Sequence, residues 1–123
     1  MTRKKMLIID DNRTIRELLT ADFEDDFAVE TAINGLDGLL IALRSLPDVI
    51  LLDIDMPGFS GVDVVCELET KSETRNIPVV VITASEHNIA TERQLRPHRN
   101  VKGLLSKMTP TEEIKKTVRH ALR

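Results

Sequence analysis

Acidic, hydroxyl and basic side chains recur in this chain directly after short apolar runs. Asp10 and Asp11 follow the first run, and Asp53 ends the third. Thr83 ends the fourth run, and Lys107 follows the fifth. Such runs predict buried strands, and the carboxyl ends of parallel strands lie at one edge of a sheet, where open α/β folds bind ligands. The spacing therefore predicts that three carboxylates, a hydroxyl and an ammonium group meet in one crevice.

Three carboxylates in one crevice repel one another by roughly 1 to 4 kcal/mol per pair, so a positive charge must offset that cost. Because no His or Cys lies near them, an oxygen-only site suits a hard octahedral cation, and Mg²⁺ fits better than Zn²⁺. Beside such a cation, an oxygen of Asp53 can attack the phosphorus of an incoming phosphoryl group. Thr83 would supply a hydroxyl donor and Lys107 a point charge for the phosphoryl oxygens.

Each of these residues also has an ordinary structural explanation. An Asp after a strand often caps a helix, and Asp53 stands shortly before Pro57 and Gly58, where turn chemistry is common. A Thr or a Lys at the end of a strand commonly has no special role. A shared site is favoured because four strands each end in a residue that the same reaction needs.

The elements that must position these side chains alternate regularly along the chain. The predicted strands are Met6–Ile9, Phe27–Ala32, Val49–Leu52, Ile77–Ile82 and Val101–Leu105, and a helical pattern follows each of them. Five strands alternating with five helices require right-handed crossovers, a parallel sheet and helices on both of its faces. The second strand alternates in polarity, which indicates a sheet edge and favours the order 2-1-3-4-5. The predicted fold is a flavodoxin-like, doubly wound (βα)5 sandwich with its crevice between strands 1 and 3.

Helical spacing predicts which side chains face the core. We expect inward-facing residues at Ile15, Leu18, Leu19 and Phe23 in the first helix, Leu36, Leu39, Leu40 and Leu43 in the second, Val62, Val65 and Cys66 in the third, and Ile89, Ala90 and Leu95 in the fourth. Ser60 and Thr109 each begin a capping-box pattern, and Pro110 is predicted at the first helical position of the last helix. The fourth helix, from roughly Glu86 to Leu95, has few apolar residues, so we expect it to be the most mobile.

Composition narrows the class of protein. At 123 residues and 41% hydrophobic residues, we expect residues 1–123 to form one domain without an output domain. A net charge of −3 favours neither nucleic acid nor a membrane surface as a direct partner. Cys66 is the only cysteine, which excludes an internal disulfide and makes core packing its expected role. Met1–Lys5 leads straight into a strand rather than a signal peptide, so we expect a cytoplasmic protein.

The motifs resemble the receiver domain of two-component response regulators. The matching residues are Ile8-Ile9-Asp10-Asp11, Leu51-Leu52-Asp53-Ile54-Asp55-Met56-Pro57-Gly58 with Ser60-Gly61, Val81-Ile82-Thr83-Ala84, and Lys107. The resemblance extends over the whole chain and its motifs are specific. It implies that Asp53 accepts a phosphoryl group from the phosphohistidine of a histidine kinase or from a small phosphodonor.

The same resemblance implies ligands and partners. Mg²⁺ would be held by Asp11, Asp53 and the main-chain carbonyl of Asp55, with Asp10 acting through a water molecule. Thr83 and Lys107 match the switch threonine and the phosphate-pairing lysine.

The implied partners are a sensor histidine kinase or a histidine phosphotransfer protein, and a downstream effector protein. We also consider a homodimer formed on phosphorylation through the last two helices. The protein would be a switch, not a turnover enzyme, and its output surface would comprise the fourth helix, fifth strand and fifth helix.

Two positions depart from the pattern of that family. An aromatic residue is common three positions before the lysine, where this chain has Leu104, so an aromatic rotamer switch is excluded there. Proline, commonly in a cis bond, usually follows the lysine, where this chain has Met108. Because a cis bond before a non-proline residue costs about 2.5–4 kcal/mol, we expect the bond between Lys107 and Met108 to be trans.

Other function classes stay open at this point. Leu104 and Met108 also suit a degenerate receiver that acts as a constitutive protein-interaction module. Asp53-Ile54-Asp55 also suggests a phosphotransferase or phosphatase of the haloacid-dehalogenase type. In that type, however, the paired acids follow the first strand of a larger, capped domain. Flavin binding occurs on this fold, but nothing in the chain resembles its phosphate loop.

Overall fold

Five parallel strands form one sheet in the order β2-β1-β3-β4-β5. This computed structural model describes residues 3–84 and 89–123, with the side chain of Ile89 excepted. The strands are β1 Lys4–Ile9, β2 Phe27–Ala32, β3 Val49–Asp53, β4 Val79–Thr83 and β5 Val101–Ser106, and the helices are α1 Arg13–Phe23, α2 Gly35–Ser45, α3 Gly61–Thr70, α4 Ile89–Leu95 and α5 Thr111–Ala121. The predicted fold class, strand order and edge position of β2 are confirmed.

Strand register brings the predicted functional residues to one edge of the sheet. Ile9 pairs with Leu52, so the residues that follow each of them, Asp10 and Asp53, leave neighbouring strands at the same level. Farther along the sheet, Thr83 pairs with Ser106, which directly precedes Lys107. The crevice therefore lies at the carboxyl edge of β1, β3, β4 and β5.

The apolar strands are covered on both faces. Alternate residues of β1 and β3 enter two separate clusters. Leu7, Ile9, Ile50 and Leu52 pack with side chains from α2 and α3. Met6, Ile8, Val49 and Leu51 pack with side chains from α1 and α5. Since both strand faces are buried, a continuous apolar run rather than an alternating one is the expected pattern.

The predicted inward face of α2 is wrong at two leucines. Leu36 and Leu40 are more than half exposed. The buried residues of α2 are instead Gly35, Gly38, Leu39 and Ala42. Small residues let this helix approach the sheet closely, because a Cβ atom on Gly38 would lie only 2.4 Å from Cδ1 of Ile9. Hydrophobicity alone favoured the leucine side of the helix, whereas close packing favours the glycine side.

Three further predicted core positions are also wrong. Leu18 is 58% exposed, because the buried stripe of α1 consists of Leu19 and Phe23, and the residue before Leu19 points about 100° away. Cys66 is exposed for the same reason, since α3 buries Val64, Val65 and Leu68. Its Sγ atom lies 3.8 Å from Nε2 of His98. Ala90 of α4 is exposed as well.

Helix termini were predicted correctly at the third helix and wrongly at the last. Ser60 caps α3, and its reciprocal bonds with Asp63 form the predicted capping box. At α5 the N-cap is Pro110, which has no side chain able to form a cap bond, and Thr111 is the first helical residue. Proline thus stands one position earlier than expected, and the Thr109 capping box is not formed.

The fourth helix is short in the described ranges. α4 comprises Ile89–Leu95, and Leu95 is its buried anchor. The predicted start at Glu86 and the side chain of Ile89 lie outside the described residues. The expected mobility of this helix stays a prediction. No helix in the described ranges has the length and apolar composition needed to cross a membrane.

Candidate functional site

Three aspartates from β1 and β3 converge at the carboxyl edge of the sheet. One carboxylate oxygen from each of Asp10, Asp11 and Asp53 lies within 4.8 Å of the other two. Asp10 and Asp53 are each only 2% exposed, whereas Asp11 faces solvent. The predicted convergence of the three carboxylates is therefore observed, and the site has a buried floor and an open side.

Local hydrogen bonds fix Asp10 at the end of β1. Its Oδ1 atom accepts the N–H of Asn12 at 2.8 Å, and its carbonyl oxygen accepts a bond from Arg16 at 2.9 Å. Asn12 in turn caps α1 by accepting the N–H of Ile15. The chain turns from strand to helix immediately after the acid pair, so Asp10 points into the site while Asn12 begins the helix.

Asp53 is held by the turn that follows β3. Its Oδ1 atom accepts the backbone N–H of Asp55 at 2.9 Å. Gly61, the first residue of α3, packs against this turn, and a Cβ atom there would lie 2.7 Å from the Asp53 carbonyl oxygen and from Cα of Ile54. A glycine is needed at this position because the two backbone segments leave no room for a side chain.

Lys107 reaches back across the sheet from the end of β5 to two of the acids. Its Nζ atom lies 3.3 Å from Oδ2 of Asp53 and 3.4 Å from Oδ2 of Asp10, and its side chain is only 18% exposed. Burial acts to lower the pKa of Lys107, but the charges of Asp10 and Asp53 outweigh burial, and the net shift is upward. Lys107 is therefore a charged partner of both buried carboxylates.

Burial raises the pKa of Asp53 from 3.8 to about 6. The nearby charge of Asp10 adds to this rise. The Asp55 N–H bond and the Lys107 ammonium act in the opposite direction, because both stabilise the carboxylate form. At neutral pH the Asp53 side chain is therefore ionised, although its burial disfavours the charged form. A bound cation, or an electrophile that bonds to the carboxylate, would relieve this unfavourable charge.

Thr83 is buried at the end of β4, and its hydroxyl donates to the side chain of Asp55. The acceptor is Oδ2 of Asp55, at 2.8 Å. The same oxygen accepts the backbone N–H of Ala84 at 3.0 Å. The sequence predicted a role for the main-chain carbonyl of Asp55 as a Mg²⁺ ligand and an effect of Asp55 on the lifetime of a phosphoryl group, but not this bond to Thr83. No local pattern could reveal this contact, because it joins residues 28 positions apart.

The residues present fit a hard divalent cation. Three carboxylates face one ammonium group from Lys107, so the described cluster carries an excess of negative charge at neutral pH. All the donors are oxygen atoms, which Mg²⁺ prefers, and the exposed side at Asp11 leaves room for the water molecules that Mg²⁺ retains. Such a cation would lie among Asp10, Asp11 and Asp53.

Leu104 and Met108 flank the lysine on the outer surface. Leu104 is 37% exposed and Met108 is 80% exposed. No peptide bond in residues 3–84 and 89–123 is cis. The expected trans bond between Lys107 and Met108 is confirmed, and the Met108 N–H donates to Oγ of Ser106 at 3.0 Å.

Comparison with known proteins gives one consistent result. Residues 6–119 match the family model of the response regulator receiver domain. Protein PilH of Pseudomonas aeruginosa is 34% identical over 119 residues, which is 96% of this chain and 97% of PilH. Sporulation initiation phosphotransferase F of Bacillus subtilis is 36% identical over 85 residues, 68% of this chain and 67% of that protein.

A longer relative and a solved structure extend the comparison. Response regulator PleD of Caulobacter vibrioides is 43% identical over 84 residues, which is 65% of this chain but only 18% of PleD. The chain thus spans about a fifth of the length of that relative. Among solved structures, chemotaxis protein CheY4 of Vibrio cholerae superimposes with a TM-score of 0.90 at 27% identity, covering 98% of this chain and 100% of CheY4.

Proposed function

Because the chain belongs to the response regulator receiver domain family of two-component systems, we propose that it is a signalling switch that accepts a phosphoryl group on Asp53. The observation that carries the proposal is the convergence of Asp10, Asp11 and Asp53 around one point, with Lys107 bonded to two of them. The protein is a phosphoacceptor rather than a turnover enzyme. This assignment replaces the haloacid-dehalogenase hypothesis.

In the proposed reaction a carboxylate oxygen of Asp53 attacks the phosphorus atom of the donor. The donor is the phosphohistidine of a histidine kinase or phosphotransfer protein, or acetyl phosphate. The new oxygen–phosphorus bond forms an acyl phosphate, and the phosphorus–nitrogen or phosphorus–oxygen bond of the donor breaks, with its electron pair leaving on the imidazole or the acetate. Asp53 must be ionised to attack, which its pKa of about 6 allows at neutral pH.

The other site residues would offset the negative charge that the acids and the phosphoryl group bring together. When bound, Mg²⁺ supplies charge neutralisation between the acids and the incoming phosphoryl oxygens. Asp11, Asp53 and the main-chain carbonyl of Asp55 would hold it, with Asp10 acting through water. Lys107 is already oriented toward Asp53 by its backbone bond to the carbonyl oxygen of Thr83, 2.8 Å long. Its ammonium group can therefore pair with a phosphoryl oxygen after little movement.

Switching follows from the strands that meet at the site. A phosphoryl group on Asp53 offers new acceptors to the Thr83 hydroxyl and to Lys107, which end β4 and follow β5. Drawing both toward the phosphoryl group would change the surface formed by α4, β5 and α5. The change in population can be no larger than the difference in bonding between the two states.

A groove next to Lys107 supports a protein as the phosphodonor. The groove lies between α1 and α5, has a volume of about 130 Å³ and includes Ile15, Leu18 and Ile114 in its lining. Leu18 is 58% exposed, so an apolar side chain faces solvent in the same groove that Lys107 lines. A protein donor can bury this surface while it presents its phosphohistidine to the acids.

Acetyl phosphate tests the proposal directly. Incubation with Mg²⁺ and acetyl phosphate should add one phosphoryl mass to the protein, and Asp53→Asn should take up none. Asp25→Asn is the matched control, because it removes one exposed carboxylate at the opposite edge of the sheet and should be labelled like the unmodified protein. Labelling of Asp53→Asn at another residue would refute the assignment.

Exposure of Met108 and Leu104 favours one alternative, a constitutive interaction module. Both apolar side chains face solvent. In that case a partner would bind with equal affinity before and after acetyl phosphate treatment. A change in affinity on phosphorylation would support the switch instead.

A further inference from the structure

The side chain of Asp55 joins the proposed phosphoacceptor to the proposed switch residue. Its Oδ2 atom accepts the Thr83 hydroxyl at 2.8 Å and the Ala84 N–H at 3.0 Å. Its own backbone N–H donates to Oδ1 of Asp53 at 2.9 Å. Asp55 thus holds the end of β4 against the turn after β3.

We propose that the carboxylate of Asp55 is a latch that competes with the phosphoryl group on Asp53 for the hydroxyl of Thr83. This inference rests on the proposed function of Asp53 and Thr83. A hydroxyl has one proton and donates it to one acceptor at a time. A phosphoryl oxygen can gain the Thr83 bond only after Asp55 has lost it. Asp55 is therefore a positioning residue that sets the fraction of phosphorylated protein that switches.

The two competing bonds are of the same chemical kind. Both the Asp55 carboxylate and a phosphoryl oxygen are anionic acceptors, and bonds to anionic acceptors are stronger than bonds between neutral groups. The bond formed by the phosphoryl group is therefore largely offset by the bond that it replaces. The Ala84 N–H adds a second bond that the latched state keeps. Removing the latch should increase the share of the switched state at a given degree of phosphorylation.

Repulsion between the Asp55 carboxylate and the phosphoryl group on Asp53 would also disfavour the switched state. Variants of Asp55 can separate this explanation from the latch. Asp55→Asn removes the charge but keeps a side-chain oxygen that can accept both bonds. Asp55→Glu keeps the charge but moves the carboxylate away by one methylene group. Asp55→Ala removes both the charge and the acceptor. All three variants retain the main-chain carbonyl proposed to hold Mg²⁺.

Beryllofluoride with Mg²⁺ is the probe, since it mimics a phosphoryl group on a carboxylate without being consumed. We expect Asp55→Ala and Asp55→Glu to bind it about threefold to tenfold more tightly than the unmodified protein. Asp55→Asn, whose neutral amide oxygen accepts a weaker bond than a carboxylate, should tighten binding less than either of them. Titration followed by amide NMR spectra gives the affinities. Asp25→Ala, which removes an exposed acid at the opposite edge of the sheet, should leave the affinity unchanged.

The Ala84 amide proton reports the latch itself, without any bound cation. Its resonance should move upfield when the bond to the carboxylate is lost, in Asp55→Ala and in any other variant that has lost the bond. Affinity for beryllofluoride should follow this resonance across the variants and not their charge. In a Thr83→Val background, Asp55→Ala should change the affinity for beryllofluoride by less than about twofold. The Thr83 hydroxyl, for which Asp55 and the phosphoryl group compete, is absent from that background.

The outcomes separate the latch from the proposed function. If the unmodified protein neither binds beryllofluoride nor accepts phosphate from acetyl phosphate, the proposed function fails and the latch fails with it. If it binds but Asp55→Ala and Asp55→Glu bind no more tightly, the latch alone is refuted. Equal tightening by Asp55→Asn and Asp55→Ala, with none by Asp55→Glu, would identify charge repulsion and also overturn the latch.

Discussion

Asp53 combines burial with a reactive charge, and this combination should cost stability. The folded protein holds the pKa of Asp53 at about 6, above the ordinary value of 3.8. Between these two pH values the folded chain binds a proton that the unfolded chain has released, so stability falls as pH rises from about 4 to about 6 and then levels off. Above pH 6 we expect Asp53→Asn to be more stable than the unmodified protein by about 1–3 kcal/mol in the absence of Mg²⁺.

Urea unfolding at several pH values checks this expectation. The stability difference between Asp53→Asn and the unmodified protein should be close to zero near pH 4, grow up to about pH 6 and stay constant above it. Asp25→Asn, an exposed substitution, should show no such trend. A difference that is as large at pH 4 as at pH 7 would mean that the cost of Asp53 is not a matter of its ionisation.

Single residues also mark how far sequence reasoning reaches. The types and spacing of Asp10, Asp53 and Lys107 predicted which groups would meet, because strand ends fix their positions. The acceptor for Thr83 was not predicted, since a hydroxyl can donate to any acceptor that the fold brings near. Cys66 was assigned to the core from its residue type, yet one helical step separates a buried position from an exposed one.

Among the elements, α2 shows why hydrophobicity can indicate the wrong face. Its exposed side carries Leu36 and Leu40, whereas Gly38 faces the sheet. The central strands β3 and β4 were predicted more successfully, because their apolar runs are buried along their whole length. A helix buries one face only, and a glycine there is visible in the sequence only as a gap in the hydrophobic pattern.

Gly38 makes this argument testable. Gly→Ala in a free helix is stabilising by about 1 kcal/mol, but here the added Cβ would lie 2.4 Å from Cδ1 and 2.7 Å from Cγ1 of the fully buried Ile9. We expect Gly38→Ala to lower the free energy of unfolding by about 1–3 kcal/mol. Leu40→Ala, on the exposed face, should change it by less than about 0.5 kcal/mol. Urea unfolding of both variants measures the contrast, and the reverse ranking would contradict the assigned faces.

At the scale of the whole molecule, the site exists only when the sheet is assembled. Asp10 and Asp11 follow β1 and Asp53 ends β3, and the parallel pairing of these strands brings their oxygens within 4.8 Å. Strand order was predictable because alternating elements and one edge-like strand leave few topologies. The contents of the loops were less predictable, since the bonds of Asp55 and the cap of α5 depend on contacts that no periodic pattern encodes.

Because the acids converge only on folding, a cation that binds them must stabilise the folded state. A ligand that binds the native chain alone adds RT ln(1 + [L]/Kd) to the free energy of unfolding, which is about 2.7 kcal/mol at one hundred times Kd. We expect Mg²⁺ at pH 7.5 to raise the midpoint of urea unfolding progressively and to reverse the stability advantage of Asp53→Asn.

Asp25→Asn should respond like the unmodified protein, whereas Asp53→Asn and Asp11→Asn should respond weakly. Sodium chloride at matched ionic strength separates binding from screening. If the salt stabilises as much as Mg²⁺ does, or if Asp53→Asn responds in full, the three carboxylates are not a cation site.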